Sequence, residues 1–166
     1  MKKLFITLFA TLSSLSIFSA SSSDRTLVRV VEHEQPSIHT KFGDYIQTKI
    51  NEFTTDSTSY IFEIVKDEYT SIMINYDELK AINDKLPEIV YSSEEDLIGD
   101  YKFVEFKYVS DSGFQLGYYV RRSKISWFLS FGESKQDIIY LRNKEELIEV
   151  LVGAQSTIEE LMKYEN

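Results

Sequence analysis

The sequence predicts an α+β fold, in which a curved antiparallel sheet of six to eight strands packs on a C-terminal amphipathic helix. Apolar and polar residues alternate with period two through residues 101–131, as is typical of strands with one face on a core. Apolar residues then recur at helical spacing after Asn143. The chain of 166 residues contains no cysteine, so the core must hold the domain together without disulfides.

The first residues of the chain have the layout of a secretory signal peptide. Two lysines precede an apolar run, Leu4–Phe18, and small residues close the segment. The run is shorter than the roughly 20 residues that a membrane-spanning helix needs. We therefore expect no transmembrane segment and an exported protein, either periplasmic or secreted. A lysine-headed signal without any cysteine after it is typical of a bacterial envelope protein.

The cleavage point decides where the mature domain begins. A cut after Ser22 places Ala20 and Ser22 at the two positions that prefer small residues. A cut after Ala20 would place the bulky Phe18 at one of them. The predicted organisation is a signal peptide over residues 1–22 and a single domain over residues 23–166.

Net charge argues against nucleic acid as a partner. The chain has 27 acidic and 18 basic residues, which gives a net charge of −9. Phosphate binding requires clustered cations, and the densest cluster is Arg121, Arg122 and Lys124. Its position between two alternating segments favours a solvated connector over a phosphate site.

Three alternating segments between Tyr101 and Phe131 predict a three-stranded meander. Asp111-Ser112-Gly113 supplies turn residues between the first two segments, and residues 121–124 connect the second and third. The apolar positions of the segments are Val104, Phe106 and Tyr108; Phe114, Leu116, Tyr118 and Val120; and Ile125, Trp127, Leu129 and Phe131.

Earlier strands are predicted at Leu27–Glu32, Tyr60–Lys66 and Tyr69–Asn75. The segment Tyr45–Phe53 is ambiguous, because its apolar residues fit either one face of a helix or one face of a strand.

Two helices begin with the same capping chemistry. The C-terminal helix begins at Asn143 with Glu146 three positions on, and a second, short helix begins at Asn75 with Glu78 three positions on. Pro87 predicts the end of the second helix. A strand runs directly into each start, and each helix has Leu as its first core residue. Either a duplicated strand-helix unit or convergence on good caps explains the likeness.

The run Ser112-Gly113-Phe114-Gln115-Leu116-Gly117-Tyr118-Tyr119, the strand with Trp127 and the terminal helix with Glu146-Leu147 and Ala154 carry a family resemblance. This part of the chain, roughly the last 95 residues, resembles small exported bacterial proteins of unknown function. The resemblance implies a β-rich domain closed by a helix and implies no activity.

Catalytic and metal-binding patterns are weak throughout. His33 and His39, with Glu32 beside the first, could bind a divalent ion, but their spacing fits no zinc motif and favours a surface loop around Pro36. The acidic run at residues 94–96 is typical of a solvated face or of a short helix start, and a hydrolase would need two converging carboxylates instead. We expect no cofactor, no metal and, more often than not, no enzymatic activity.

Aromatic residues on the second face of the meander suggest a binding surface. Phe114, Tyr118 and Trp127 fall on the core face, whereas Tyr119 and Phe128 fall opposite, beside Gln115. An exposed aromatic pair with polar neighbours suits contact with a protein or a glycan. Alternatively, the sheet curls and both faces are partly covered.

These observations predict an exported, non-enzymatic binding module whose partner is an envelope protein or a surface polymer, with Tyr119, Phe128 and Gln115 in the contact. The alternative is a carrier of a small apolar ligand in a cavity between sheet and helix. Such a cavity would be lined by Phe106, Leu116, Trp127 and Leu151. A hydrolase without a recognisable motif is the third possibility.

Overall fold

The chain repeats one order of elements, four antiparallel strands followed by a helix. The computed structural model describes residues 27–132 and 134–164, so the predicted signal peptide lies outside the described residues. The first half comprises β1 (Arg29–His39), β2 (Tyr45–Thr54), β3 (Thr58–Asp67), β4 (Thr70–Asn75) and α1 (Tyr76–Ile98). The second half comprises β5 (Phe103–Val109), β6 (Gln115–Arg121), β7 (Lys124–Ser130), a 3-10 turn (Lys135–Asp137), β8 (Ile138–Tyr140) and α2 (Lys144–Tyr164).

The α+β class is confirmed, but the prediction of one sheet of six to eight strands is wrong. The strands form two antiparallel sheets of four, in the orders β1-β2-β3-β4 and β5-β6-β7-β8. Each strand pairs with its neighbour along the chain, so each sheet is complete before the following helix begins. Within the described residues the sheets touch through an isolated bridge between Thr40 and Leu141.

Most predicted strands are confirmed. The three-stranded meander corresponds to β5, β6 and β7, and the ambiguous segment Tyr45–Phe53 forms β2. The first strand continues well beyond its predicted end at Glu32. It passes through Pro36 with an irregularity in register between Gln35 and Ile38, so the expected loop around Pro36 is instead part of β1. Thr48 on β2 donates its hydroxyl to the carbonyl of Pro36 at 2.7 Å, which holds the irregular step against the sheet.

Helix α1 does not end at Pro87 as predicted but continues to Ile98. Proline in a helix removes one hydrogen bond and costs about 3 kcal/mol. The buried stripe nevertheless continues beyond it at Ile89 and Ser93, and burial of that stripe offsets the local cost. Residues 94–96 therefore belong to the last turns of a long helix and not to the start of a short one.

One hydrophobic core serves both halves. Apolar side chains from both sheets and both helices form a single cluster. The helices contact each other, and Asn83 on α1 donates to the carbonyl of Leu151 and to Gln155 on α2, at 3.0 and 2.8 Å. As predicted, Phe114, Tyr118 and Trp127 lie in this core, shown by their burial.

The first hairpin of each half has the same kind of turn. The amide of Thr40 donates to the carbonyl of Asp44, and the amide of Ser110 donates to the carbonyl of Phe114, both at 2.8 Å. The fourth residue of each turn is a glycine with positive φ, +97° at Gly43 and +85° at position 113. Glycine adopts this backbone conformation without the steric cost that other residues meet.

Each helix start is bonded to the hairpin of the other half. Asn75 and Asn143 cap their helices by accepting from the amides of Glu78 and Glu146, both at 2.9 Å. In an ordinary capping box the glutamate bonds back to its own cap residue. Here Glu78 accepts from the amide of Ser112 at 2.8 Å, and Glu146 accepts from the amide of His39 at 2.9 Å. We call these two bonds the exchanged caps.

Candidate functional site

The outer face of the second sheet carries a row of three aromatic rings. Tyr119 on β6 stacks on Phe103 of β5, with ring centroids 6.0 Å apart, and meets Tyr140 of β8 edge-on at 5.9 Å. Such pairs stabilise a sheet beyond the area that they bury. We call these three residues the aromatic row. Phe103 is 56% exposed, and Tyr119 and Tyr140 are partly exposed.

The structure buries two of the three residues predicted for the binding surface. Phe128 is 3% exposed and Gln115 is 7% exposed, so of the predicted set Tyr119 alone offers appreciable surface. Phe128 lies on the inner strand β7, opposite Gly117 of β6 and Tyr140 of β8. Gln115 turns its amide toward the carbonyl of Gly132 at 3.4 Å.

Sequence reasoning missed Phe103 and Tyr140 as part of this surface. Phe103 precedes the apolar alternation that predicts the first strand of the meander, and Tyr140 lies on the three-residue strand β8, far from Tyr119 in sequence. The outward periodicity of β5 could have indicated Phe103. The approach of Tyr140 depends on the pairing of β7 with β8, which no local pattern reveals.

Cations stand at one end of the aromatic row. Arg121 is the cross-strand partner of both Phe103 and Lys124, and both cations are exposed. A tight turn at Arg122 and Ser123, with φ of 51° and 57°, joins β6 to β7 there. In a protein of net negative charge, this end of the row provides local positive charge.

The outer face of the first sheet has a charged and polar network at its centre, beside apolar residues such as Val30 and Met73. Lys49 pairs with Glu32 at 2.9 Å and with Glu63 at 3.4 Å, and Asn51 donates to Glu63 at 2.7 Å. Burial raises the pKa of Glu63, but hydrogen bonds from Ser71 and Asn51 and the charge of Lys49 outweigh it and hold the pKa below its usual value. The group is therefore an ionised member of a closed network, with little capacity left for a ligand.

A cleft of about 320 Å³ lies between the halves, where α2 begins. Trp127 lines it, with the ammonium of Lys144 5.9 Å from the ring centroid and 3.3 Å from Glu94 of α1. Lys41 and Arg142 also line it. Leu97, Ile125 and Leu141 contribute apolar surface, so the lining mixes charged and apolar side chains.

This cleft is not the cavity between sheet and helix that the sequence analysis predicted for a carrier. Of the four residues expected to line it, only Trp127 lines the cleft, whereas Leu116 and Leu151 are fully buried in the common core. Tyr118, which is also in the core, donates its hydroxyl to Asp96 at 2.7 Å. Burial and the neighbouring carboxylate raise the pKa of Tyr118 far above its usual value, so the hydroxyl stays protonated.

A second cleft, of about 250 Å³, is lined by the carboxylates of Asp77, Glu78 and Asp111. Burial raises the pKa of Glu78, but hydrogen bonds from Ser110 and Ser112 outweigh it, and the pKa lies below its usual value. A general acid in glycoside hydrolysis needs a raised pKa. Glu78 is therefore suited to its structural bond and not to proton donation.

The histidines have separate partners. The ring of His33 lies 3.0 Å from Glu52, and that of His39 lies 3.1 Å from Glu146. Within residues 27–132 and 134–164, no group of three or more histidine, aspartate or glutamate side chains is placed to hold a metal ion.

No protein-family model, curated protein or solved structure matches this chain. Among the described residues, no helix is long and apolar enough to cross a membrane.

Proposed function

We propose that the protein is an exported, non-enzymatic binding module of the bacterial envelope, and that it contacts an envelope protein or a surface polymer through the aromatic row. The observation that carries the proposal is the row itself. Three rings from β5, β6 and β8 lie in contact on the outer face of a sheet, and the ring of Phe103 is more than half exposed.

The physical chemistry of the row supports this proposal. Aromatic rings bring a large contact area and lose little conformational entropy on binding, which is why they dominate the energetics of many interfaces. The rings already hold one another in place, so little ordering remains to be done when a partner arrives. Arg121 and Lys124 at the end of the row would favour a partner that presents anionic groups.

The proposed location depends on the N-terminal segment. Its two lysines, apolar run and small residues have the layout of a signal peptide. An exported chain meets envelope proteins and cell-wall or surface polymers, which are the partners that a flat aromatic face suits.

The test replaces two rings of the row, on β6 and β8, and leaves Phe103 of β5 in place. Tyr119→Ser and Tyr140→Ser remove contact area, and Tyr119→Phe keeps the ring as a conservative control. Met73→Ser, on the outer face of the first sheet and 53% exposed in the native protein, is the matched control. Each purified variant is immobilised, incubated with envelope extract and with isolated surface polymers, and washed with salt.

We expect the native protein, Tyr119→Phe and Met73→Ser to retain the same specific partner. Tyr119→Ser and Tyr140→Ser should lose it while their circular dichroism spectra remain native. Full retention of the partner by the folded double variant Tyr119→Ser/Tyr140→Ser would show that the row is not the contact.

A further inference from the structure

Strand β5 is the free edge of the second sheet. It pairs with β6 on one side, and in the described residues no strand pairs with its other side. Its outward side chains, which include Phe103 at 56% and Val109 at 51%, are exposed. An edge with open backbone donors and acceptors and exposed apolar ends is a template for pairing with another strand.

The sequence of β5 is complementary to itself when it is reversed. Its seven residues are Phe-Val-Glu-Phe-Lys-Tyr-Val. If a second copy pairs antiparallel with a two-fold axis at Phe106, each Glu105 lies directly opposite Lys107 of the other copy. Phe103 then lies opposite Val109. Every charged residue of the strand faces an opposite charge, and every other pair is apolar.

Other registers do not give this match. Two residues that face each other across paired strands have their side chains on the same side of the sheet. The two-fold axis must therefore pass through a residue position, and it can move only from one residue to another. A shift of the axis to Glu105 places two glutamates opposite each other, and a shift to Lys107 does the same with two lysines. Only the axis at Phe106 uses all seven residues and pairs both charges.

The charges of Glu105 and Lys107 are not paired with opposite charges among the described residues. Both are exposed, and neither forms an ion pair within residues 27–132 and 134–164, although Lys107 reaches Gln115 at 3.4 Å. Strand β4, the outer edge of the first sheet, contains no charged residue, and Met73 is its one large exposed apolar side chain. The complementary pattern is therefore present in β5 and absent from β4.

We propose that two copies of this chain pair through β5 to form a symmetric dimer with one continuous eight-stranded sheet. The two-fold axis is normal to the sheet, so both aromatic rows lie on the same face of the dimer. Closed two-fold pairing also occupies both open edges, which prevents further growth at β5.

The test is a charge reversal with internal rescue. Glu105→Lys places lysines opposite each other at both symmetric positions, and Lys107→Glu does the same with glutamates. The double variant, Glu105→Lys with Lys107→Glu, restores opposite charges at both. Lys102→Glu, outside the strand, controls for the change in net charge that Lys107→Glu causes. The dimer dissociation constant of each purified protein is measured by sedimentation equilibrium at low salt.

We expect the native protein to dimerise, and each single reversal to weaken the dimer by about tenfold. The double variant should return to within about threefold of the native constant. Because the rescue restores charge pairing without restoring either native residue, a misfolded single variant cannot imitate it. A native protein that stays monomeric at all concentrations, or a double variant that stays as weak as the single variants, would overturn the proposal.

Discussion

The two halves of the molecule share an interior and differ at their surfaces. Both have four strands, a glycine turn in the first hairpin and a helix begun by asparagine. The outer face of the first sheet has a network of charged and polar groups around Lys49, and the outer face of the second sheet has the aromatic row. The likeness is confined to positions that fold the chain. The difference lies on the surfaces that a partner could contact. The second half, which has the aromatic row, is therefore the better candidate for a binding surface.

The largest expected effect comes from the equivalent first core leucines of the two helices. Leu79→Ala and Leu147→Ala each leave a cavity in the one core that both halves share. Each should lower the free energy of unfolding by about 2–5 kcal/mol, measured by chemical denaturation. Val152→Ala, at an exposed site on α2, is the control and should cost less than about 1 kcal/mol. Two separate unfolding transitions in either leucine variant would contradict a shared core.

The exchanged caps should give the next largest effect. Glu78→Ala and Glu146→Ala each remove a carboxylate and leave an amide of the other half without its acceptor. Each should cost about 1–3 kcal/mol of unfolding free energy. Glu78→Ala should cost more because Glu78 is the more buried of the two. Glu149 is an exposed glutamate on α2, and Glu149→Ala should leave the free energy of unfolding nearly unchanged. Equal losses in all three variants would contradict a stabilising role of the exchanged caps.

Acid should weaken both exchanged caps together. Hydrogen bonds from the amide of His39 and from Asn143 lower the pKa of Glu146 against a smaller opposing effect of burial, and the pKa of Glu78 is also lowered. The unfolded chain, with a glutamate pKa near 4.5, therefore takes up protons at higher pH than the folded chain does. The stabilisation is fully present above the unfolded value and is lost as pH falls through the folded values.

Denaturation midpoints between about pH 6 and about pH 3 measure this loss. The native protein should lose stability steeply over the acid part of that range. The double variant Glu78→Ala/Glu146→Ala should show a shallower decline, and an identical slope would show that other carboxylates dominate.

The sequence predicts the features of the fold that depend on residues close together in the chain, and it misses those that depend on distant residues. The meander between β5 and β7 and the caps at Asn75 and Asn143 are local patterns, and the sequence predicts them correctly. The passage of α1 through Pro87 and the burial of Phe128 depend on what packs against them. For the same reason the binding surface is predicted only in part, since Tyr119 is partly exposed but its neighbour Tyr140 arrives through pairing that is not local.

The outer faces should give the smallest effects on stability, and salt should separate them. Lys49→Ala in the first sheet should cost about 1 kcal/mol at low ionic strength and less at high ionic strength, because salt screens charges. Tyr119→Ala in the second sheet should cost about 0.5–1.5 kcal/mol at any ionic strength. Denaturation of both variants with and without added salt gives the comparison. A salt-sensitive cost at Tyr119 would show that its contacts are largely electrostatic.

The exchanged caps also set an order of events in time. The amide of His39 waits for a carboxylate that lies 107 positions later in the chain. During synthesis, the first hairpin emerges before the carboxylate that accepts from it has been made. The bond from His39 therefore cannot form until the beginning of α2, the last helix, has been synthesised. The first half therefore reaches its full stability only when the chain is nearly complete.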